Sequence, residues 1–348
     1  MYKFISKIIS NFKEIFKPFE AKTLLPYNVN NINGSQIFFL KNRKSNKKIK
    51  YYIIRRSPGA GLFSNLIFVL NHLIISGNCR YIPIVDMEHF VTIYNEKNTV
   101  NNTRNAWNYY FDNKNSYNLK KIYSKENFIL TSNKFGKNFS HKIANKKFRN
   151  IFKKYFKIKK KYLDFAKGFE KKNFSNQKVL ALYLRGTSYK TSANHPLPIT
   201  KEQSLNLIRY FIKKKKFTKV FLCTEDLNYF NAITYEFGDK IIYMKNNYRS
   251  FIDNAFKNYP RKLHRFKLGE EILLEALIMS KCNSFLYTNS NVSEFVKFLD
   301  NKKKINYFLI DNGFNSSNEY VARWLWYYKN ILPKFLGGFD KVTNVKKI

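Results

Sequence analysis

Cysteine is scarce in this chain. The three, Cys79, Cys223 and Cys282, lie far apart. That spacing offers no paired-cysteine metal site, and an odd, scattered count fits a reducing cytoplasm. Long hydrophobic runs are missing as well. No stretch of about 18 apolar residues occurs, so no membrane-spanning helix is expected. Charges at Lys3, Lys7, Lys13 and Glu14 interrupt the first apolar positions and no small-residue cleavage site follows. A secretory signal is therefore not expected there. There is no internal repeat. Acidic residues are few, 23 Asp and Glu against 64 Lys and Arg, for a formal charge of +41.

A charge of that size invites a nucleic-acid reading. Two features weigh against it. The lysines are spread along most of the chain among Asn, Ile, Phe and Tyr, as an AT-rich coding bias produces. No compact basic module such as a zinc finger or helix-turn-helix stands out. A basic surface suits phosphorylated sugars, nucleotide donors and anionic lipid headgroups equally well. Nucleic acid is not the expected partner, though an RNA-associated protein stays open as an alternative.

What is present is material for a core. Hydrophobic residues make up 44% of the chain and aromatics 18%, over 348 residues. That is enough for two ordinary domains or one large one. Residues 1–18 read as a basic amphipathic helix ended by Pro18. Phe4, Ile5, Ile8, Ile9, Phe12, Ile15 and Phe16 recur at helical spacing among lysines. Such a helix either lies in an anionic membrane surface or docks on the protein's own body. Residues 20–48 read as irregular.

A strand at Tyr51–Arg55, a glycine loop at Ser57–Gly61, a helix from Leu62 and a strand at Tyr81–Val85 form one strand–helix–strand unit. Residues 98–175 read as Asn/Lys/Phe-rich with helical pieces, and Phe148–Phe174 as helix. From Lys178, strands at 179–184, 219–223, 240–243, 284–287 and 306–310 alternate with helices at 202–214, 227–237, 269–281 and 292–299. This alternation predicts an α/β fold with parallel sheets covered by helices. Glu319–Leu332 reads as a last helix crossing back onto the first domain, and the tail 340–348 as frayed. The expected divisions are 1–18, a first α/β domain over 19–175, a second over 176–315, and 316–348.

Chemistry gathers at strand ends, where ligands bind in open α/β sheets. Val179-Leu-Ala-Leu-Tyr-Leu184 ends in Arg185, Gly186, Thr187 and Ser188. A guanidinium there suits a diphosphate, with which it forms parallel hydrogen bonds. A Glu or Asp from a neighbouring loop is the alternative partner. Two later strands end at Thr224-Glu225-Asp226 and Thr288-Asn289-Ser290. Glu225 and Asp226 could accept from a base or ribose, while Asp226 equally suits a helix N-cap. Glu270, Glu271 and Glu275 open a helix, and Glu275 could meet a guanine edge. Thr288, Ser290 and Ser293 offer hydroxyls to phosphate.

In the first domain, Gly59 and Gly61 precede a helix N-terminus, a place for phosphate, sugar hydroxyl or merely a tight turn. Asp86, Glu88 and His89 follow a strand, where a base could sit; a lone histidine is more often structural. Glu96 and Asn105–Tyr110 read as a polar, aromatic wall or as core.

Together, Leu184-Arg-Gly-Thr187, Thr224-Glu-Asp226, Glu275 and Thr288-Asn-Ser290 resemble the three donor-site motifs of the α1,6-/α1,2-/protein-O-fucosyltransferase superfamily. Tyr183 stands at that family's histidine and Ser188 at its aspartate. The resemblance implies the GT-B architecture, two Rossmann-like domains facing across a cleft, and GDP-fucose or a related nucleotide-sugar as donor substrate, with no other cofactor. It implies inverting, metal-independent transfer to a glycan hydroxyl. No convincing Asp-x-Asp metal motif appears, in agreement. Arg185 would hold the diphosphate, with Thr187, Ser290 and Ser293 assisting. Tyr183 and Thr224 would line the donor site, and Asp226 and Glu275 would hold ribose and base. Asp86, Glu88 or His89 would serve as base. By analogy the acceptor is a surface glycan such as lipopolysaccharide. The expected location is cytoplasmic, peripheral on the membrane's inner face through residues 1–17. A degenerate transferase fold that only scaffolds stays open.

Overall fold

The computed structural model describes residues 29–31, 37–40 and 50–348, apart from 57–59, 116, 134, 137 and 342. The basic helix expected over 1–18, and Gly59, lie outside the described residues. The chain divides into two compact units. Unit 1 takes Met1–Lys159 and Pro260–Glu270, and unit 2 takes Lys160–Tyr259 and Glu271–Ile348.

Unit 1 carries β1 (Val29–Asn31), β2 (Ile37–Leu40), β3 (Tyr51–Ile54), α1 (Leu62–Asn78), β4 (Ile82–Val85), α2 (Trp107–Tyr110), β5 (Phe111–Asn113), α3 (Leu119–Lys125), β6 (Phe128–Thr131), α4 (Lys146–Tyr155) and β7 (Phe156–Ile158). Its five-stranded sheet runs β1-β2-β6-β3-β4. β3 pairs in parallel with both β4 and β6, and β2 closes antiparallel on β6. Ile53, Ile84, Phe128 and Leu130 pack with Ile122 and Tyr123 of α3 to form its core.

Three expectations need correction here. Residues 20–48 contain two strands, β1 and β2. The Asn/Lys-rich stretch hides β6, a central strand of only four residues. The helix expected over Phe148–Phe174 is broken in two by β7, which pairs antiparallel with β5. Alternation over three residues is too short to oppose a helical pattern on either side.

Unit 2 opens with α5 (Lys160–Asn173). There follow β8 (Val179–Leu184), α6 (Lys201–Lys215), β9 (Lys219–Thr224), α7 (Leu227–Phe237) and β10 (Ile241–Ile242). α8 (His264–Met279) begins in unit 1 and continues into unit 2. The chain ends with β11 (Ser284–Tyr287), α9 (Asn291–Leu299), β12 (Asn306–Asp311), α10 (Glu319–Ile331) and β13 (Asn344–Lys347). All six residues of β8 are buried, as a strand covered on both faces requires. Leu180, Leu182 and Leu184 pack with Ile208 and Phe211 of α6, Leu222 and Ile233.

The six strands run β10-β9-β8-β11-β12-β13. The first five are parallel, and β13 adds antiparallel to β12. The tail expected to fray is thus a sheet edge. From β8 the chain winds outward through β9 to β10, then returns to lay β11 on the other side of β8. The strand order therefore reverses between β8 and β11. At such a switch point the loops leave in opposite directions and open a crevice at the carboxyl ends of the strands.

Helix α10 is seated on its own unit. Trp326 is buried and its Nε1–H donates to the Pro198 carbonyl at 2.7 Å. Asn315 donates to the Ala322 carbonyl at 3.0 Å, and α6 is tied in by Gln203, which donates to the Asp340 carbonyl at 2.6 Å.

Candidate functional site

In unit 2, register places Leu184 beside Thr224 and Tyr183 beside Tyr287. The three polar strand ends are thus neighbours across β9, β8 and β11. Arg185 leaves β8 at the centre of this row. Its Nη2 donates to Ser188 Oγ at 3.0 Å, and the guanidinium lies 4.6 Å from the centre of the Tyr189 ring. Its Nε stands 3.6 Å from Glu225 Oε1, too far for a hydrogen bond, and is buried without an acceptor. The side chain keeps 27% of its surface exposed. Burial works against its charge, but Glu225 and the hydroxyls of Tyr183 and Tyr189 outweigh it and hold the pKa above the ordinary arginine value. Glu225 is the neighbouring carboxylate weighed from the sequence.

Glu225 does more than face the arginine. Its Oε1 accepts from the Gly186 N–H at 3.2 Å and from Thr187 Oγ1 at 3.3 Å. It therefore pins the loop after β8. Asp226 is fully buried. Its Oδ1 caps α7 through the Asn228 N–H at 2.8 Å, and its Oδ2 pairs with Lys190 Nζ at 2.8 Å. The capping expected from the sequence is present, and both oxygens are engaged within the protein. Lys190 in turn lies over the rings of Tyr229 and Trp326, at 5.2 and 4.9 Å. Thr224 Oγ1 accepts from the Asp226 N–H.

Gly186 is a packing residue. A Cβ there would lie 2.5 Å from Asp226 Cβ and 2.7 Å from a Tyr229 ring carbon. By contrast, a Cβ on Gly61 would meet nothing closer than 3.9 Å, and Gly61 has φ −64. The protein itself does not require glycine at 61. The N–H of Leu62 there is satisfied by the Tyr94 hydroxyl at 2.9 Å.

The remaining donor-site expectations resolve as follows. Ser290 and Ser293 cap α9 reciprocally, each hydroxyl accepting from the other's N–H at 3.1 and 3.0 Å. Ser293 is fully buried, so its hydroxyl serves the helix. Thr288 is buried at the end of β11, and Tyr183 within β8. Glu275 is buried and accepts from Asn247 Nδ2 at 2.6 Å. Its carboxyl is pushed up to about 8, by burial first, against the nearby Arg249 and the Asn247 bond. Glu271 accepts from the Tyr248 N–H. Lys190, Asn247 and Arg249 were not singled out from sequence. Lys190 lay inside the motif stretch, five residues past Arg185; the other two sit in a loop whose path the sequence does not reveal.

In unit 1, Asp86 closes β4 and is fully buried. Its Oδ1 accepts from the backbone N–H groups of Glu88 and His89, both at 3.0 Å. Its Oδ2 accepts from the Tyr123 hydroxyl at 2.5 Å and meets His89 Nδ1 at 2.9 Å. The hydrogen bond to Asp86 is the chief cause that raises the His89 pKa, against burial. With Nδ1–H donated to Asp86, the free nitrogen is Nε2. The imidazole is 20% exposed. Asp86 is thus the anchor and His89 the group that can exchange a proton. Trp107, Tyr109 and Tyr110 are buried core, so they form no sugar-facing wall. Glu96 accepts from the Phe266 N–H. Among the described residues, no group of three or more His, Cys, Asp or Glu could hold a metal ion.

No family model and no curated protein matches the chain in sequence. Solved structures similar to it include fucosyltransferase NodZ from Bradyrhizobium, at 13% identity and TM-score 0.49, covering 77% of this chain and 96% of that one. POFUT1 in complex with GDP-fucose is similar at 12% identity and TM-score 0.42, covering 73% and 95%. Arabidopsis thaliana FUT1 in complex with GDP is similar at 10% identity and TM-score 0.43, covering 86% and 76%.

Two outcomes follow from the geometry. Gly186→Ala drives its methyl into Asp226 and Tyr229 and should cost about 1–3 kcal/mol, read as a lower denaturant midpoint at unchanged slope. Glu275 has a folded-state pKa above its unfolded value, so the folded state holds the extra proton between those two values. Stability should therefore fall as pH rises from about 5 to 8. Glu275→Gln should flatten that dependence; a Gln variant with the wild-type pH profile of melting temperature would contradict the assignment.

Proposed function

We propose that this protein is a glycosyltransferase whose unit 2 binds a nucleoside-diphosphate sugar at the end of β8. The carrying observation is the position of Arg185 at the β8/β11 switch point, with its Nε–H buried and lacking an acceptor. An anion there completes the guanidinium's hydrogen bonding and moves Glu225 aside. The motif resemblance makes GDP-fucose the donor of choice. Lys190, held by Asp226, and Asn247, held by Glu275, are positioned by the carboxylates that the sequence reading had placed on the ligand itself. Thr187, released from Glu225, gains a free hydroxyl for phosphate.

In the reaction, an acceptor hydroxyl of a surface glycan attacks the anomeric carbon opposite the diphosphate. The C–O bond to the diphosphate breaks as the new glycosidic bond forms, with inversion. Arg185 stabilises charge on the departing diphosphate, where such help counts most. His89 takes the hydroxyl proton on Nε2, and Asp86 stabilises the imidazolium through Nδ1. Protein groups meet each of these needs, so the reading calls for no metal. Residues 1–17 are proposed to bring the enzyme to an anionic membrane surface.

GDP should raise the melting temperature of the wild type. Arg185→Ala should keep the fold, abolish that shift and lower transfer from GDP-fucose by roughly 100-fold or more. Near-wild-type turnover in this variant would refute the site. RNA binding that weakens steeply with salt, without a GDP shift, would favour the RNA-associated alternative. His89 must be neutral to act, so transfer should rise with pH through a pKa above the ordinary histidine value. Asp86→Asn should move that limb to lower pH; an unmoved limb would remove His89 as the base.

A further inference from the structure

Helix α10 presents two faces. Ala322 and Trp326 are buried against unit 2. Opposite them, Tyr320, Trp324, Tyr327, Tyr328 and Ile331 follow helical spacing and are exposed, Tyr320 at 75%, Trp324 at 62% and Ile331 at 79%. The apolar stripe does not stop with the helix. Phe335, 85% exposed, and Leu336 continue it through the turn at Lys334–Leu336. Isolated exposed apolar residues need no explanation, but a contiguous face marks an interaction surface.

The composition of the face decides its partner. One tryptophan and three tyrosines carry apolar rings with polar tips, the residues that settle at the depth of lipid headgroups. Arg323 lies beside this face, its guanidinium 5.7 Å from the Tyr320 ring centre, and Lys334 opens the turn that carries Phe335 and Leu336. Lys334 pairs with Asp340 at 2.5 Å, and Lys329 Nζ donates to the Gly337 carbonyl at 2.8 Å. The chain as a whole carries a net charge of +41. A second copy would bring like charge onto like charge. A negatively charged lipid surface complements both the rings and the cations.

We infer that the outer face of α10, with Phe335 and Leu336, docks on anionic lipid headgroups, its rings entering the interface while Arg323, Lys334 and the positive field of the whole chain meet the negative charge. This surface is built from residues 319–336 and does not depend on the transferase reading, since it is tested without nucleotide.

The chain's three tryptophans make the test direct. Trp107 and Trp326 are buried, and Trp324 is exposed. Full-length protein is mixed with vesicles of phosphatidylcholine alone, or of phosphatidylcholine with phosphatidylglycerol, with and without brominated acyl chains. The anionic vesicles should carry the protein on flotation. Brominated lipid should quench a component of its emission, and Trp324→Phe should remove the quenchable component while keeping binding. Trp324→Ser combined with Phe335→Ser should weaken partition roughly tenfold or more at unchanged melting temperature.

Absence of binding to anionic vesicles would overturn the inference. So would equal binding to neutral ones. Binding without quenching would overturn it too, because the contact would then be made elsewhere, as by residues 1–17. If the double variant instead converts a vesicle-free dimer into a monomer, the face joins two copies and the lipid assignment fails.

Discussion

A guanidinium at the end of a buried strand must be paired, and much of unit 2 is arranged around that requirement. Arg185 sits where β8 runs out, half-buried, among Ser188, Tyr189 and Glu225. Glu225 reaches back to the loop that carries the arginine and holds Gly186 and Thr187. Gly186 lets Asp226 approach within the radius of a methyl group, and Asp226 then fixes Lys190. Lys190 rests on Trp326, whose indole anchors α10 to Pro198. One contiguous series of contacts therefore links the strand end to the helix whose other face is exposed. A substitution at Gly186 would be felt along it, because packed side chains transmit displacement.

Unit 1 solves a comparable problem with the opposite charge. Asp86 is the buried group, and four donors from Glu88, His89 and Tyr123 converge on it. A carboxylate so fully engaged has little left to offer a ligand. It does, however, fix the tautomer and the basicity of its histidine. Each unit thus places one enclosed acid behind one partly open base or cation: Asp86 behind His89, and Asp226 behind Lys190.

Much of the fold could be read from sequence because parallel strands buried on both faces are near-continuous apolar runs. β8, β9 and β11 are of this kind, and the helices between them carry caps at Thr200, Asp226 and Ser290. What escaped were short or lightly patterned elements. β6 is four residues behind Glu126 and Asn127, and β7 is three residues between two helices. β13 carries two lysines and pairs only because β12 leaves an edge free. That the polar strand ends are neighbours was legible; the partners of their side chains were not. Ser290, Ser293 and Asp226 suit phosphate, ribose or a helix end by chemistry alone; the backbone geometry that makes them caps is absent from a linear motif. Lys190 and Asn247 were missed because their partners, Asp226 and Glu275, lie 36 and 28 residues away.

The cluster at the end of β8 holds two cations and two carboxylates, so simple charge excess does not argue for an anion there. The argument lies in the difference between the pairs. Lys190 and Asp226 meet at 2.8 Å with the carboxylate wholly buried, and separating them would strand a charge. Arg185 and Glu225 stand 3.6 Å apart with about a quarter of each side chain exposed. At that separation no hydrogen bond joins Nε to Glu225, so the pair is looser than Lys190–Asp226. A diphosphate offers the same guanidinium shorter, parallel, charge-assisted bonds. Exchange at Arg185 therefore breaks less than exchange at Lys190 would. On the proposed reading Glu225 is a placeholder that keeps the guanidinium oriented and the loop closed, and Asp226 part of the permanent frame.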